Sequence, residues 1–212
     1  MNITTEQYQS SLHRLPKIGQ HILAFQTDSQ LVVYQAYKPG IAEYAVKHQM
    51  LGGSEFSYQR MSWIKPNFLW MMYRCGWASK KDQERVLAIW INKKDFEKIV
   101  SQAVLSSFNP AYHTSHEQWK NDLELKNVRL QWDPEHDPFG GKLQRRAIQL
   151  GLKDTALEEF GKHQIQRIED ITEFVKSQKQ ALDHDGINQL FVPAETIFRT
   201  SDSALNKKLG LS

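Results

Sequence analysis

Apolar and polar residues alternate with different periods along the chain, and several segments have the pattern of a β-strand. Gln30–Tyr37 (QLVVYQAY) is rich in β-branched and aromatic residues and is followed by Pro39-Gly40. This combination predicts a strand that ends at the proline. Arg60–Ile64 and Arg85–Ile91 have the same character. Later in the chain, strands are predicted over Val128–Trp132, Ala147–Leu152 and Ile165–Ile171.

Other segments carry apolar residues at helical spacing between recognisable start and stop signals. Pro39 suits the first turn of a helix that Gly52-Gly53 is predicted to end. Asn67–Cys75 is apolar nearly all round and is followed by Gly76, which predicts a short buried helix. Further helices are predicted to begin at Asn92 (with apolar residues at helical spacing as far as Val104), at the capping box Ser115–Gln118, at Asp154 and at Thr172.

Strands and helices alternate in the first half of the predicted order, whereas the later strands follow one another closely. Because the helices are short and the late strands crowd together, the pattern favours an α+β fold over a parallel α/β fold. We expect a single domain with a split or mixed β-sheet core and flanking short helices over residues 21–212. Residues 1–20 are polar and are predicted to form a loosely attached N-terminal arm.

Composition and charge restrict the compartment more than the function. The single cysteine, Cys75, excludes an intrachain disulfide and suits a reducing compartment. The N-terminus lacks the apolar run of a secretion signal, and Asn67–Cys75 is far shorter than the roughly twenty residues that span a bilayer. We therefore expect a cytoplasmic protein without a membrane partner. A net charge of +3 fits a phosphate-bearing cofactor and a nucleic acid equally well.

Several common catalytic motifs do not occur in the sequence. The chain has neither G-x-x-x-x-G-K-[ST] nor G-x-G-x-x-G, which argues against P-loop NTPases and ordinary Rossmann enzymes. It also lacks G-x-S-x-G, paired C-x-x-C and H-E-x-x-H. His113 and His116 are three residues apart but have no third ligand nearby in the sequence, so no metal site is predicted.

The segment Arg60–Trp77 (RMSWIKPNFLWMMYRCGW) concentrates aromatic and cationic side chains. Most of its aromatic residues fit a buried core from which Lys65 and Arg74 extend outward. Ser62–Pro66, however, lies where a strand is predicted to pass into the N-terminus of a helix. Free backbone N–H groups and the helix dipole favour an anion there, and Lys65 adds a charge. We therefore predict a phosphate or carboxylate site at this junction.

The segment Val128–Leu152 is the second cluster of candidate functional residues. Asp133, Glu135 and Asp137 could form a cation site or an acid–base pair, or Asp133-Pro134 could simply start a turn. Gln149 is polar within an apolar strand, and its alternation partners are small. Either its face leaves room for a ligand, or Gln149 is a buried, hydrogen-bonded structural residue. Gln35 poses the same question in its own strand.

The segments VVYQAY, MSWIKPNFLWMMYRCGWA, QERVLAI, VRLQWDPEHD and RAIQLGL together resemble the domain-of-unknown-function family DUF4291 over roughly Ile18 to Thr172. A more distant resemblance, to ADP-ribosyltransferase-like domains, concerns the order of the elements. It implies NAD as the ligand, with Gln35 on the first strand, Ser62 and Trp63 on the second, and Gln149 or Glu135 on a late strand. Gln149 departs from that pattern because an amide cannot act as the catalytic carboxylate.

The resemblance implies an ADP-ribosyltransferase-like fold that binds NAD or a related nucleotide and transfers ADP-ribose to an unknown acceptor, with a nucleic acid among the candidates. Lys65 with Arg74 or Arg146 would neutralise the pyrophosphate, and Trp63 or Tyr37 would stack on a ring. The expected roles at the ribose are orientation by Gln35 and Ser62 and contact with the reacting hydroxyl by Gln149 or Glu135.

Two other classes of function stay open on the sequence alone. The first is a non-catalytic module that binds single-stranded RNA or DNA, because six tryptophans interleaved with Lys and Arg could stack unpaired bases. The second is a metal-assisted hydrolase that uses the acidic and imidazole groups of one connection. Its residues would be Asp133, Glu135, His136 and Asp137.

Overall fold

The computed structural model of the protein describes residues 1–110 and 112–211, and they form short helices around several β-sheets. The strands are β1 (Thr5–Gln7), β2 (Gly19–Gln20), β3 (Ile22–Ala24), β4 (Gln30–Tyr37), β5 (Ser62–Ile64), β6 (Arg85–Asn92), β7 (Ala103–Leu105), β8 (Val128–His136), β9 (Lys142–Leu152), β10 (Ile165–Asp170), β11 (Phe191–Pro193) and β12 (Thr196–Phe198). The α-helices are α1 (Tyr8–Arg14), α2 (Pro39–His48), α3 (Phe68–Cys75), α4 (Lys93–Ser101), α5 (His116–Leu125), α6 (Asp154–Glu159), α7 (Thr172–His184) and α8 (Ser203–Lys208).

Two larger sheets carry most of the strands. In the first, β4 and β10 flank β6 in an antiparallel arrangement. In the second, β9 pairs with β8 along one edge and with β2 and β5 along the other, and β7 extends the sheet beyond β8. The pairs β2–β9 and β7–β8 are parallel, whereas β8–β9 and β5–β9 are antiparallel. The second sheet is therefore mixed.

The two sheets meet where β5 lies beside β4. Tyr34 N donates to Lys65 O at 2.7 Å, and Lys65 N donates to Tyr34 O at 3.2 Å. This single backbone bridge joins β4 to the end of β5, and the strands are otherwise unpaired with each other. Among the described residues, the predicted single α+β domain with a mixed sheet core and flanking short helices is confirmed.

Strands β4 and β6 are buried on both faces, and this divides the core into two layers. Leu31 and Val33 of β4 pack in a layer with the apolar face of the five-stranded sheet. Val32 and Tyr34 point the other way and pack against α3 and α7. A strand covered on both sides needs apolar residues at successive positions, which explains the continuous run in Gln30–Tyr37.

The first twenty residues differ from the loosely attached arm that their polarity predicts. β1 pairs antiparallel with β11, and Tyr8 is only 3% exposed. Tyr8 N also donates to Leu190 O at 2.9 Å. Pairing with β11 satisfies the backbone hydrogen-bonding groups of this segment, and this does not require an apolar sequence pattern. A few side chains, such as those of Ile3 and Tyr8, are buried and attach the segment to the core. Polarity alone therefore gave a misleading expectation.

Most predicted elements are present, and the larger differences from the prediction lie in three places. β8 and β9 extend beyond the predicted segments into one long hairpin, and its turn lies at Asp137–Gly141 rather than at Asp133-Pro134. The Asp137 carboxylate accepts from Phe139 N and Gly141 N and so fixes that turn. Ala103–Leu105 forms β7 instead of continuing α4. α2 ends at Gln49, which adopts a left-handed conformation, before Gly52-Gly53 is reached.

None of the helices formed by residues 1–110 and 112–211 combines the length and apolar character needed to cross a bilayer.

Candidate functional site

A cavity of about 320 Å³ lies on the polar face of the five-stranded sheet, next to α3. We call it the β5–β9 cavity. Trp63, Lys65, Trp70 and Arg74 line it from the first sequence cluster. Gln131, Asp133 and Gln149 line it from the second. The two clusters that the sequence singled out therefore contribute to one cavity.

Strand register explains why these side chains share one face. Trp63 lies opposite Gly151, and Gln131 lies opposite Gln149, in antiparallel pairs whose directly opposed side chains point the same way. The alternate residues, such as Leu150, are fully buried in the core on the other face. The polar residues of an otherwise apolar strand are thus gathered on the side where the cavity opens.

Gly151 allows Trp63 to lie close to the sheet. A Cβ atom at residue 151 would come within 3.0 Å of two indole carbons of Trp63 and 2.7 Å of Met61 Sδ. The sequence suggested that a small residue here could leave room for a ligand. Instead, Trp63 and Met61 fill the space above Gly151, and the cavity lies beside Gln149.

Lys65 is a buried cation at the cavity wall, with only 6% of its surface exposed. Its Nζ donates to Trp63 O at 3.3 Å. Burial lowers the pKa of Lys65 to about 7, and the nearby Arg74 charge acts in the same direction. Asp133 opposes this shift but does not cancel it. Lys65 therefore changes its charge close to neutral pH.

Asp133 is held by two glutamine side chains. Gln131 Nε2 donates to Asp133 Oδ1 at 2.8 Å, and Gln149 Nε2 donates to Asp133 Oδ2 at 2.7 Å. Gln149 is hydrogen-bonded and mostly buried, as one of its two sequence interpretations required, and it also lines the cavity. Gln149 is thus the buried, hydrogen-bonded residue of the second interpretation, and a role in ligand binding stays a prediction.

Gln35, Tyr37 and Ser62 form a hydrogen-bonded group between β4 and β5. Gln35 Nε2 donates to Ser62 Oγ at 2.8 Å, and the Tyr37 hydroxyl lies 3.0 Å from the same oxygen. Burial raises the pKa of the Tyr37 hydroxyl well above its ordinary value. Gln35 Nε2 also lies 3.4 Å from Trp63 O, the carbonyl that accepts from Lys65.

Tyr37 and Ser62 line a second cavity of about 400 Å³, which we call the Ser62 cavity. Ser62 and Trp63 are consecutive residues of β5, so their side chains point to opposite faces of the strand. Ser62 and Trp63 therefore contribute to different cavities. The Trp63 carbonyl connects them, because it accepts from Lys65 of the β5–β9 cavity and from Gln35, which also donates to Ser62.

The N-terminus of α3, where the sequence predicts a phosphate or carboxylate site, is filled by a carboxylate of the chain itself. Glu195 Oε1 accepts from Phe68 N at 2.6 Å, and Glu195 Oε2 accepts from Asn67 Nδ2 at 2.8 Å. Asn67 Oδ1 caps the helix by accepting from Trp70 N. Burial raises the pKa of Glu195 to about 8, although the hydrogen bond from Phe68 works against this shift. No local signal at residue 195 reveals this long-range contact.

Glu135 and Arg146, which the sequence also proposes as site residues, do not line the β5–β9 cavity. Glu135 is 1% exposed and forms a two-pronged ion pair with Arg145, whose Nη2 lies 2.6 Å from Glu135 Oε1. Arg146 Nη2 donates to Trp132 O at 2.7 Å. Its place in β9 puts it on the face opposite Gln149.

The residues considered for a metal have other partners. Within residues 1–110 and 112–211, no three His, Cys, Asp or Glu side chains are grouped to hold a metal ion. The His136 ring stacks on Tyr73 with 3.6 Å between the ring centroids. The His116 ring stacks on Phe108 at 3.8 Å.

Comparison with known proteins identifies one family. Residues 21–198 match the family described as "Domain of unknown function (DUF4291)". No curated protein matches the chain. The match covers 178 of the 212 residues and includes every residue that lines the two cavities, so the chain belongs to the DUF4291 family.

Proposed function

We propose that the protein binds a nucleotide, with NAD as the leading candidate, in the β5–β9 cavity and acts as an ADP-ribosyltransferase-like enzyme. One observation carries this proposal: a single cavity combines two indoles, two cations and three amide or carboxylate side chains. Nucleotide recognition needs these three kinds of group, for the rings, the phosphates and the ribose hydroxyls respectively. The volume of about 320 Å³ is at the lower end of the range for small-molecule pockets.

The cations suit the pyrophosphate. Lys65 lies inside the cavity wall, whereas Arg74 is exposed at the end of α3 and can reach toward a ligand from the solvent side. An ammonium and a guanidinium on one side of a cavity form a phosphate-binding pair. This geometry favours Arg74 over Arg146, because Arg146 lies on the opposite face of β9.

The two tryptophans provide apolar surface and one free donor. Trp63 and Trp70 both line the cavity. Trp70 Nε1 is buried without a hydrogen-bond partner among the described residues. Because this donor is buried in the protein, the proposal assigns the tryptophans the rings of the nucleotide rather than a hydrogen bond.

The proposal also rests on the arrangement of three strands. The three strands that this resemblance selects carry Gln35, Ser62 and Gln149. They are β4, β5 and β9, which lie side by side although they are distant in the sequence. In the proposal, Gln35 holds β5 by donating to Ser62 Oγ and to the Trp63 carbonyl, and Gln149 acts within the cavity.

Arginine variants test the binding site directly. We expect Arg74→Ala to weaken NAD binding by about 1.5–3 kcal/mol, the range for hydrogen bonds to charged groups. Arg146→Ala removes the same side chain from the other face of the sheet and should leave the affinity unchanged. Titration calorimetry gives the affinities, chromatography gives the nicotinamide released, and thermal melts verify that both variants are folded. Equal losses in the two variants, or no binding by the unaltered protein, would contradict the proposal.

A second candidate function, binding of single-stranded nucleic acid, is favoured by one exposed aromatic surface. Tyr73 is 39% exposed and Phe139 is 69% exposed, and both line a cavity of about 360 Å³ together with Lys179. Lys80 Nζ lies 5.9 Å from the Tyr73 ring centroid. Aromatic faces beside lysines can stack unpaired bases and neutralise phosphates.

Salt dependence distinguishes this second candidate. If the surface binds nucleic acid, the affinity for a labelled single-stranded RNA should fall steeply between about 50 and 200 mM salt. Loss of both rings in a Tyr73→Ala, Phe139→Ala variant should weaken it by about 1–3 kcal/mol per stacked base. Leu125→Ala, which alters another exposed apolar residue, serves as the control. Fluorescence anisotropy measures the affinity, and identical values for all three proteins would exclude this surface.

A further inference from the structure

Cleavage of the bond between a ribose and nicotinamide requires negative charge near the ribose. As the C–N bond breaks, positive charge develops on the anomeric carbon and the ring oxygen, and carboxylates are the groups that usually stabilise such oxocarbenium-like centres. The amide of Gln149 is uncharged and cannot supply this stabilisation. If the proposed function is right, another residue in the cavity has to supply it.

The β5–β9 cavity contains a carboxylate close to Gln149. Among the described residues that line the cavity, Asp133 is the single acidic side chain. Glu135 is not an alternative, because its two oxygens bind the Arg145 guanidinium away from the cavity. Glu195 is also occupied, since its carboxylate accepts from Phe68 N and Asn67 at the N-terminus of α3.

Asp133 is oriented before any ligand binds. Gln131 donates to one carboxylate oxygen at 2.8 Å, and Gln149 donates to the other at 2.7 Å. A carboxylate oxygen has two acceptor positions, so each oxygen keeps one for a ligand hydroxyl. Charged groups fixed in advance by hydrogen bonds are effective in catalysis because they do not need to reorganise during the reaction.

From this geometry we propose that Asp133 is the catalytic carboxylate of the β5–β9 cavity, and that Gln131 and Gln149 are its positioning residues. This inference rests on the proposed function. The C–N bond breaks with its electron pair moving to the nicotinamide ring nitrogen, which becomes neutral. An oxygen of water or of an acceptor hydroxyl donates an electron pair to the anomeric carbon. That oxygen loses its proton to the Asp133 carboxylate.

The same geometry gives Gln149 an indirect role. The side-chain amide nitrogen of Gln149 donates to Asp133. Loss of the Gln149 side chain should therefore make the Asp133 carboxylate less well oriented without removing it. For Gln149→Ala we therefore expect a lower kcat, by about tenfold, at an unchanged KM. A Gln149 that bound the ribose hydroxyl itself would instead raise KM.

The decisive variant is Asp133→Asn, which keeps the shape of the side chain and removes its charge. We expect the Kd for NAD to change by less than about threefold and the rate of nicotinamide release to fall at least a hundredfold, within the range for acid–base groups. Asp28→Asn makes the same change at an exposed residue outside both cavities and should keep the wild-type rate.

Chemical rescue separates catalysis from folding. In Asp133→Ala, the truncated side chain leaves space for a small carboxylate, and added sodium formate should restore part of the nicotinamide release. Formate should not accelerate the wild-type protein. Nicotinamide release by Asp133→Asn at the wild-type rate, or release by Asp133→Ala that formate does not restore, would overturn the role of Asp133 while leaving NAD binding intact. Failure of the wild-type protein to bind NAD would overturn the proposed function and this inference together.

Discussion

Lys65 shows how one buried side chain can link ligand binding to pH. Its surroundings lower its pKa from 10.5 to about 7, mainly because burial disfavours the ammonium form. Folding therefore favours neutral Lys65, and the charged form costs stability progressively as pH falls from 10.5 through 7. A bound phosphate has the opposite effect, because it favours the ammonium form. Binding of an anionic nucleotide above pH 7 should then require the uptake of a proton.

This linkage predicts the pH dependence of binding. Between pH 7 and about 9, the affinity for NAD should fall by up to tenfold per pH unit, the limit for uptake of one proton. Lys65→Met keeps most of the buried stem and should make the affinity both weaker and nearly independent of pH. Calorimetry in two buffers of different ionisation enthalpy measures the proton uptake directly. Lys94→Met changes an exposed residue of α4, and its affinity for NAD should depend on pH as the wild-type affinity does. A wild-type affinity that stays constant from pH 7 to 9 would remove Lys65 from the phosphate site.

At the scale of the element, the N-terminus of α3 binds a carboxyl group of the chain itself. Glu195 is 5% exposed, and burial raises its pKa to about 8 from an ordinary value near 4.5. The folded state therefore binds a proton that the unfolded state releases between these two values. Under that condition the free energy of unfolding decreases as pH rises from about 4.5 to 8.

The stability of a Glu195→Gln variant tests this helix terminus. The glutamine resembles the protonated acid and does not titrate. The wild-type free energy of unfolding should fall by about 1.4 kcal/mol per pH unit between pH 5 and 8, and that of the variant should not show this contribution. Urea denaturation at several pH values measures the slope. Glu173→Gln is the matched control, because the Glu173 side chain is 94% exposed. Parallel curves for the wild type and Glu195→Gln would show that Glu195 is already ionised at pH 5.

Elements whose signals are local were predictable from the sequence. Gln30–Tyr37 is a strand over the predicted residues, and α3 ends at Gly76 as expected, although Asn67 caps this helix instead of forming its first residue. The sequence pattern places the residues of β7 in a helix, because a short apolar run fits the period of a helix as well as that of a strand. The extended hairpin was underestimated because Asp133-Pro134 has the composition of a turn, although the chain pairs through it with an irregular register. The binding of Glu195 to α3 depends on the tertiary fold, and its own neighbours give no sign of it.

At the scale of the whole molecule, the candidate site depends on the order of strands. The sequence identified Trp63, Lys65, Arg74 and Gln149 separately, and the pairing of β5 with β9 brings them together. Glu135 and Arg146 were equally plausible from composition, but strand alternation and the Arg145 ion pair direct them away from the cavity. Residue type thus indicated the chemistry, whereas register decided which residues share a surface.

The contact between Glu195 and α3 has a consequence for the timing of synthesis. A ribosome releases Asn67 and Phe68 long before Glu195, 127 residues after Phe68, has been added to the chain. β1 likewise cannot form its strand pair until its partner β11 has been synthesised. Until those late residues emerge, the nascent chain lacks the carboxylate that binds the first turn of α3, and that helix supplies Trp70 and Arg74 to the cavity. The first turn of α3 therefore gains this partner only after the family domain has been made almost in full.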